Sequence, residues 1–412
     1  MTVGAQGAAP PAARPQSGLP DDTQAGPLIF LVAGEPSGDL LGARLMAALT
    51  AQTGGSVRFA GVGGAAMARE GLNSLVPIAE LSVMGLLEVI PHLPRILGHL
   101  RRTVQAARRL HPAAVVTIDS PNFSLEVAKR LAGGGAPLIH FVAPSVWAWK
   151  PWRARRIARY LDHLLTLLPF EPPYFERHGL ATTFVGHPAV EAPAGGDPRV
   201  FRQDHGIPQA APLLCVLPGS RRGETARLLP IFRDTLALLR TSVPNLHVVV
   251  PTVPNVADDV AAAARDWSVP AAVLRDPAAK YDAFAASDAA LAASGTVAVE
   301  LAVAGVPSVI AYRLSPLTAF LARHLLKVRY VSLPNLLLDR AAQPEFLQDN
   351  CTPVNLAAAL ERLLTDPAAR AAQKADAAAA VAQLTSGGDS PSQRAARCIL
   401  DLIATGAPAR NG

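Results

Sequence analysis

The sequence predicts an α/β protein made of two successive doubly wound parallel-sheet domains. Three observations predict it. Short apolar runs alternate with helical patterns in both halves of the chain, the pattern of β–α units whose strands pair in parallel and are covered on both faces. In each half the first apolar run passes through a turn of small residues into a helix: residues 28–32 into AGEPSGDLLGARL, and residues 213–217 into PGSRRGE. Between the halves, residues 189–212 are rich in proline and poor in apolar runs, which marks a linker. The resulting division is a tail over 1–26, a Rossmann-like domain over 27–190, a linker over 191–212, a second Rossmann-like domain over 213–386 and a C-terminal helix over 387–412, placed to return to the first domain. Two such domains are expected to face a cleft, with ligands at the C-terminal ends of the strands.

The elements follow in order. Strands are expected over 28–32, 113–118, 137–142, 163–168 and 182–185, with helices from about residue 40 and over 93–110 and 125–131. In the second half, strands are expected over 213–217, 247–250, 271–274, 289–292 and 308–311. Helices are expected there over 226–239, 296–303 and 315–326. The alanine-rich C-terminal region is helical, broken by GGD at 387–389.

Composition narrows the function. A chain of 412 residues can build two cores. No window of eighteen residues is free of charges and breakers, so no transmembrane helix is expected. Lys and Arg outnumber Asp and Glu by 38 to 32, and the net charge is +6, which suits an anionic partner: a nucleic acid, a phosphorylated ligand or an acidic membrane surface. Cys215, Cys351 and Cys398 have no metal-ligand spacing and read as thiols of a reducing compartment. The tail lacks the apolar core of a signal peptide, so a cytoplasmic location is expected.

Five segments carry chemistry. The turn at 33–39 has Gly34 and Gly38 but also Glu35 and Asp39. Carboxylates repel phosphate, so this turn suits a hydroxyl or amine of a sugar better than a pyrophosphate. In TIDSPNF, Asp119 ends a buried strand; a carboxylate there can take a proton from a hydroxyl or simply cap the turn. SGT at 294–296 sits between strand and helix with Glu300 one turn further on. That turn can receive a phosphate and Glu300 can accept from ribose hydroxyls, or Glu300 can serve as a capping-box partner of Thr296. PGSRRGE places Arg221 and Arg222 beside small residues, where a guanidinium can neutralise a diphosphate or remain solvated. Finally, PSVWAWKPWRARRIARY sets Trp147, Trp149 and Trp152 among Lys150, Arg153 and further arginines. This suits an anionic bilayer, a nucleic acid, or a tryptophan-anchored core with solvated cations. None of the histidines, His187 of FVGHP included, forms a metal pair at helical spacing.

Read together, AGEPSGDLLGARL, GVGGAAM, LSVMGLLEVIPHLPR, IDSPNF, PSVWAWKPWRARRI, LLPFEPPYFERHG, FVGHP, LPGSRRGE, SGTVAVELAVAGVP and YVSLPNLLLDR resemble, in that order, the lipid-A-disaccharide synthase family, over about residues 27–400. The resemblance implies a GT-B-like inverting glycosyltransferase without a cofactor or metal. It implies transfer of 2,3-diacylglucosamine from its UDP conjugate to 2,3-diacylglucosamine 1-phosphate (lipid X), with UDP released. It further implies Asp119 as base and Arg221 at the diphosphate. Ser220, Ser294, Gly295, Thr296, Glu300 and Asn335 would hold the donor, and Glu35, Ser37 and Asp39 would line the acceptor side. Val83, Met84, Leu86, Trp147, Trp149, Trp152 and Arg153 would meet acyl chains or the inner face of the cytoplasmic membrane. No nucleic-acid partner is implied, and a homodimer is compatible. Among rivals, a UDP-N-acetylglucosamine 2-epimerase has no use for a lipid-facing surface. A nicotinamide oxidoreductase would need the G-x-G-x-x-G that the first turn lacks. A membrane or nucleic-acid binding module would not need Asp119.

Overall fold

The computed structural model describes residues 26–81, 93–315, 328–385 and 387–406. Twelve strands are described: β1 Leu28–Ala33, β2 Arg58–Val62, β3 Ala114–Ile118, β4 Leu138–Phe141, β5 His163–Thr166, β6 Ala181–Phe184, β7 Leu213–Leu217, β8 His247–Pro251, β9 Ala271–Leu274, β10 Ala289–Ala293, β11 Ser308–Tyr312 and β12 Glu345–Leu347. They form two six-stranded sheets, ordered β2-β1-β3-β4-β5-β6 and β12-β11-β10-β7-β8-β9. Pairing is parallel in both.

The two sheets reverse direction at different points. In the first, the chain winds outward from β1 to β2 and then crosses to β3 on the other side of β1. In the second, it winds through β7, β8 and β9 before crossing to β10 beside β7, the dinucleotide-binding strand order. Each reversal leaves two neighbouring strands whose following loops diverge, and these are the positions at which open α/β sheets bind ligands.

Local sequence explains the elements. All six residues of β1 are buried, as expected of a central strand covered on both faces. The helix Pro36–Gln52 begins earlier than the apolar period implies, because Pro36 occupies the first turn, where its missing N–H costs nothing. The strand β2 was not anticipated: RFAGV has a charge and a glycine in five residues. Gly61 there has φ +138, and a Cβ would collide with the Leu31 carbonyl of β1, so the close strand approach requires glycine. The other strands expected from the sequence form within two residues of their expected ends. Also unanticipated were β12 and the helices Ala257–Ala264 and Ala279–Ala286, whose alanine-rich sequences carry little periodic signal. The helix expected over 315–326 lies almost wholly outside the described residues.

The second sheet separates two cores by strand alternation. Leu214, Val216, Val248, Val250, Leu291 and Val309 point to one face, where they meet Phe232 and Leu236 of the helix Arg222–Ser242. Leu213, Cys215, Leu217, Val249, Ala290 and Ile310 point to the other, against Phe201, Phe284 and Leu301. Cys215 is buried there, and burial pushes its thiol pKa well up, so it behaves as a small apolar residue.

The chain divides into two compact units, one running to Phe141 and resuming at Ile399, the other Val142–Cys398. Within the second unit, the first turn of the helix Pro391–Thr405 is anchored on β6 and its following turn. Ser392 donates its backbone N–H and its hydroxyl to Glu191 (2.7 and 2.8 Å), and Arg394 donates to the Phe184 carbonyl (3.4 Å).

Phe232 is fully buried. Phe232→Ala is expected to lower unfolding stability by about 3–5 kcal/mol, measured as a reduced urea midpoint at unchanged m-value.

Candidate functional site

In the first unit, the loops after β1 and β3 are packed directly on each other. A Cβ on Gly34 would collide with the Ser120 hydroxyl, so this close approach explains the small residues of the first turn. The Ser37 hydroxyl donates to Asp119 Oδ2 at 2.7 Å. Asp119 and Ser120 both adopt left-handed backbone, φ +47 and +43, a conformation that costs of order 1 kcal/mol or more for each non-glycine residue. The surroundings hold it in place. The Asp119 N–H donates to the Phe141 carbonyl (2.9 Å), and the Ser120 carbonyl accepts from the N–H groups of Phe123 and Ser124 (3.1 and 3.0 Å). Asp119 is half-buried at the strand end, and Ser37 engages one of its two carboxylate oxygens. Glu35 stands at the start of the same helix in extended backbone.

Asp39 is tied into the fold. Only 8% exposed, it accepts from the N–H groups of Gly64 (2.8 Å), Ala66 (2.9 Å) and Met67 (3.0 Å). It therefore ties the first helix to the short helix Ala65–Arg69, and a Cβ on Gly64 would intrude on it. The structure assigns Asp39 to fold architecture, because its position one turn into the helix points inward.

In the second unit, a cavity of about 300 Å³ lies over the ends of β7, β8 and β10. Its walls include Gly219, Ser220 and Glu224 after β7, Thr252 after β8, and Ser294, Gly295, Thr296 and Glu300 after β10. Gly219 has φ +110, and a Cβ there would run into the Glu224 carboxylate. That carboxylate accepts from the Ser220 N–H (3.2 Å), while Asn255 donates to the Ser220 carbonyl (2.6 Å). Glu300 is gripped by Lys280, whose ammonium donates to Oε1 at 3.0 Å and Oε2 at 2.9 Å. Sequence reading missed Lys280, because its helix Ala279–Ala286 carries no motif and the pair forms only across two β–α units. The Thr252 hydroxyl, on a residue 8% exposed, is buried without a hydrogen-bond partner among the described residues.

Arg221 is exposed at the start of the helix Arg222–Ser242. It lines an adjoining cavity of about 380 Å³ with Arg227, Tyr312 and Glu224, so Glu224 borders both cavities. Burial raises the Tyr312 pKa, as does the nearby Glu224, while Arg221 and Arg227 pull it down. Asn335 is wholly buried. Its amide donates to the Gln343 carbonyl (2.8 Å) and to Glu345 (2.6 Å), and its Oδ1 accepts from the Gln343 N–H (2.8 Å). These bonds tie Asn335 to the segment that leads into β12. Among the described residues no group of three or more His, Cys, Asp or Glu is arranged to hold a metal ion.

The tryptophan segment splits. Trp147 packs edge-on against Phe170 at 5.3 Å and donates to Glu171 at 3.3 Å, so it belongs to the core. Trp149 and Trp152 are 37% and 55% exposed; the Lys150 ammonium stands 4.3 Å over the Trp149 ring, with Arg153 at 5.6 Å. Val83, Met84 and Leu86 lie outside the described residues. No described helix is long and apolar enough to cross a membrane. Two buried titratable groups follow this region in sequence. Burial raises Glu171 to about 7, offset in part by N–H donors from Leu168, Trp147 and Leu167. Burial lowers His187 to about 4, and its neutral ring accepts from the Ala189 N–H (3.1 Å).

Comparison with known proteins bears on family and fold. A family model described as lipid-A-disaccharide synthetase matches residues 29–399. A lipid-A-disaccharide synthase of Rhodospirillum centenum is 56% identical over 380 residues, 91% of this chain and 94% of that protein. One of Paramagnetospirillum magneticum is 54% identical over 390 residues, covering 93% and 100%. Among solved structures, MnaA of S. aureus in complex with UDP superposes with a TM-score of 0.62 at 13% identity, covering 94% of this chain and all of that one. MurG of Acinetobacter baumannii superposes at 0.57 and 16%, covering 91% and 100%. At such identities the structures speak to fold alone.

Two outcomes follow from the buried groups. Asp39→Ala strands three backbone donors and is expected to cost about 1–3 kcal/mol of stability, read by chemical denaturation. Glu171 in the folded protein keeps a proton that the unfolded chain releases between its usual 4.5 and about 7, so it lowers stability as pH rises through that window. His187 acts oppositely: its contribution is present above its usual 6.5 and is lost as pH falls toward 4. In Glu171→Gln the loss of stability between pH 5 and pH 8 should shrink relative to the unsubstituted protein, by on the order of 3 kcal/mol.

Proposed function

We propose that this chain, which belongs to the lipid-A-disaccharide synthetase family, uses Asp119 as the base of its glycosyl transfer and the cavity over β7, β8 and β10 as the seat of its UDP-sugar donor. The activity is transfer of 2,3-diacylglucosamine from UDP-2,3-diacylglucosamine to lipid X, with inversion. The products are the β-1,6-linked disaccharide 1-phosphate and UDP.

Inversion is a single displacement. The acceptor's 6-hydroxyl oxygen bonds to the anomeric carbon of the donor sugar as the bond from that carbon to the diphosphate oxygen breaks. The hydroxyl proton passes to a base, and the electron pair leaves with UDP. The observation that carries the assignment is the Ser37–Asp119 hydrogen bond at the β1/β3 reversal. Ser37 fixes the Asp119 carboxylate through Oδ2, which leaves Oδ1 to accept the acceptor proton. Donor binding needs two chemistries. Glu300 accepts from the ribose hydroxyls. The backbone and hydroxyls of Ser220, Ser294, Gly295 and Thr296 serve the phosphates, and Arg221 from the neighbouring turn offsets charge on the departing diphosphate. Glu35 and Ser37 border the acceptor side.

Acyl chains cannot remain in water, so the substrates come from a membrane. Trp149 and Trp152, amphipathic rings beside Lys150 and Arg153, suit the headgroup layer of an anionic inner-membrane face.

Asp119→Asn preserves shape while removing the proton acceptor. In a detergent-micelle assay following UDP and disaccharide together, kcat is expected to fall by about 10²–10⁴ with UDP affinity unchanged. Retention of full activity would remove Asp119 from the role of base.

A further inference from the structure

The donor cavity raises a problem of charge and order that its motifs do not solve. Its lining includes three carboxylates, Glu224, Asp276 and Glu300, and among the described residues Lys280 is the one cation in it. Glu224 is occupied by the Ser220 N–H. Glu300 is instead held by an ammonium from a different β–α unit, through both oxygens at once. The Lys280 ammonium also stands 4.7 Å from the centre of the Tyr281 ring. Both side chains are largely shielded, with Lys280 27% and Glu300 21% exposed. A two-point grip of this kind removes rotational freedom from a long carboxylate side chain before any ligand arrives. The buried, unpartnered Thr252 hydroxyl in the same wall is an independent mark of a polar occupant, since such a group costs stability unless something hydrogen-bonds to it.

We propose that Lys280 is a positioning residue that pre-organises Glu300 for the vicinal diol of the donor's ribose, and so makes the pocket selective for ribonucleotides over 2′-deoxyribonucleotides. Lys280 acts through Glu300 and does not itself carry the discrimination. Each carboxylate oxygen that accepts from the ammonium keeps a further lone pair for a hydroxyl donor. Without Lys280 the Glu300 side chain must be ordered at the moment of binding, and that entropy is subtracted from the diol contact. The inference rests on the reading of this cavity as the UDP-sugar site.

The test is calorimetric titration of UDP and 2′-deoxy-UDP into the whole protein and its variants. The unsubstituted protein is expected to prefer UDP by about tenfold, the scale of one well-placed hydrogen bond to a charged group. Lys280→Met should bring that preference to within about twofold, as should Glu300→Gln, and the double substitution should go no further, because the two residues act as one unit. Lys280→Arg, which keeps a cation able to grip both oxygens, should retain most of the preference. Lys280→Gln replaces the Met variant in the comparison if the latter does not fold. Equal weakening of both nucleotides in Lys280→Met would overturn the proposal and assign Lys280 to a group they share, such as the phosphates. An unchanged preference in that variant, or no preference in the unsubstituted protein, would overturn it as well. Failure of the unsubstituted protein to bind either nucleotide would instead overturn the assignment of the cavity to the donor.

Discussion

The reversal of winding in each parallel sheet is the constraint on which the functional regions depend. Where two neighbouring strands send their loops in opposite directions, the backbone at their C-terminal ends is left uncovered by its own helices. In the first sheet this happens between β1 and β3, and in the second between β7 and β10. In the first sheet the loops that flank the gap pass very close to one another, Gly34 lying against Ser120. In the second, Gly219 makes room for the Glu224 carboxylate within the turn after β7 itself. The Ser37–Asp119 hydrogen bond forms at the first reversal between residues 82 apart in sequence, and Glu300 at the second is held by Lys280 from the helix before β10.

Hydrogen-bond accounting separates the polar residues that hold the fold from those available to ligands. A buried polar group must be satisfied, and a residue whose capacity is met internally has little left for a substrate. Asp39 accepts from three backbone N–H groups. Asn335 is engaged by Gln343 and Glu345, in a buried network that continues from Gln343 to Ser308. Asp119 has one oxygen fixed and lies half-buried at a strand end. Asp39 and Asp119, residues of one chemical type, are thus set in different surroundings.

The tryptophan-rich segment shows the same sorting for apolar and charged groups. Trp147 turns inward to Phe170 and Glu171, while Trp149 and Trp152 turn outward beside cations. One local sequence therefore supplies both an anchor and an amphipathic exposed surface. Glu171, the acid beneath Trp147, is held by N–H donors from its own loop and is raised to about 7 because burial outweighs those bonds.

By itself the sequence determined the strand and helix pattern, the doubly wound class, the turns that carry Asp119, Arg221 and Glu300, and the family. All of these rest on periodicity or on contiguous motifs, which local chemistry writes directly into the chain. β2 escaped notice because a strand can tolerate a charge and a glycine when its neighbour demands a close approach. Only the tertiary structure decided that the first sheet reverses after β2 and the second after β9, that Asp39 and Asn335 are tied into hydrogen-bond networks of the fold, and that Lys280 belongs to the cavity. Each of these depends on which way a side chain points and on what lies opposite it. Those facts arise from contacts between separate elements of the fold, and no single contiguous motif encodes them.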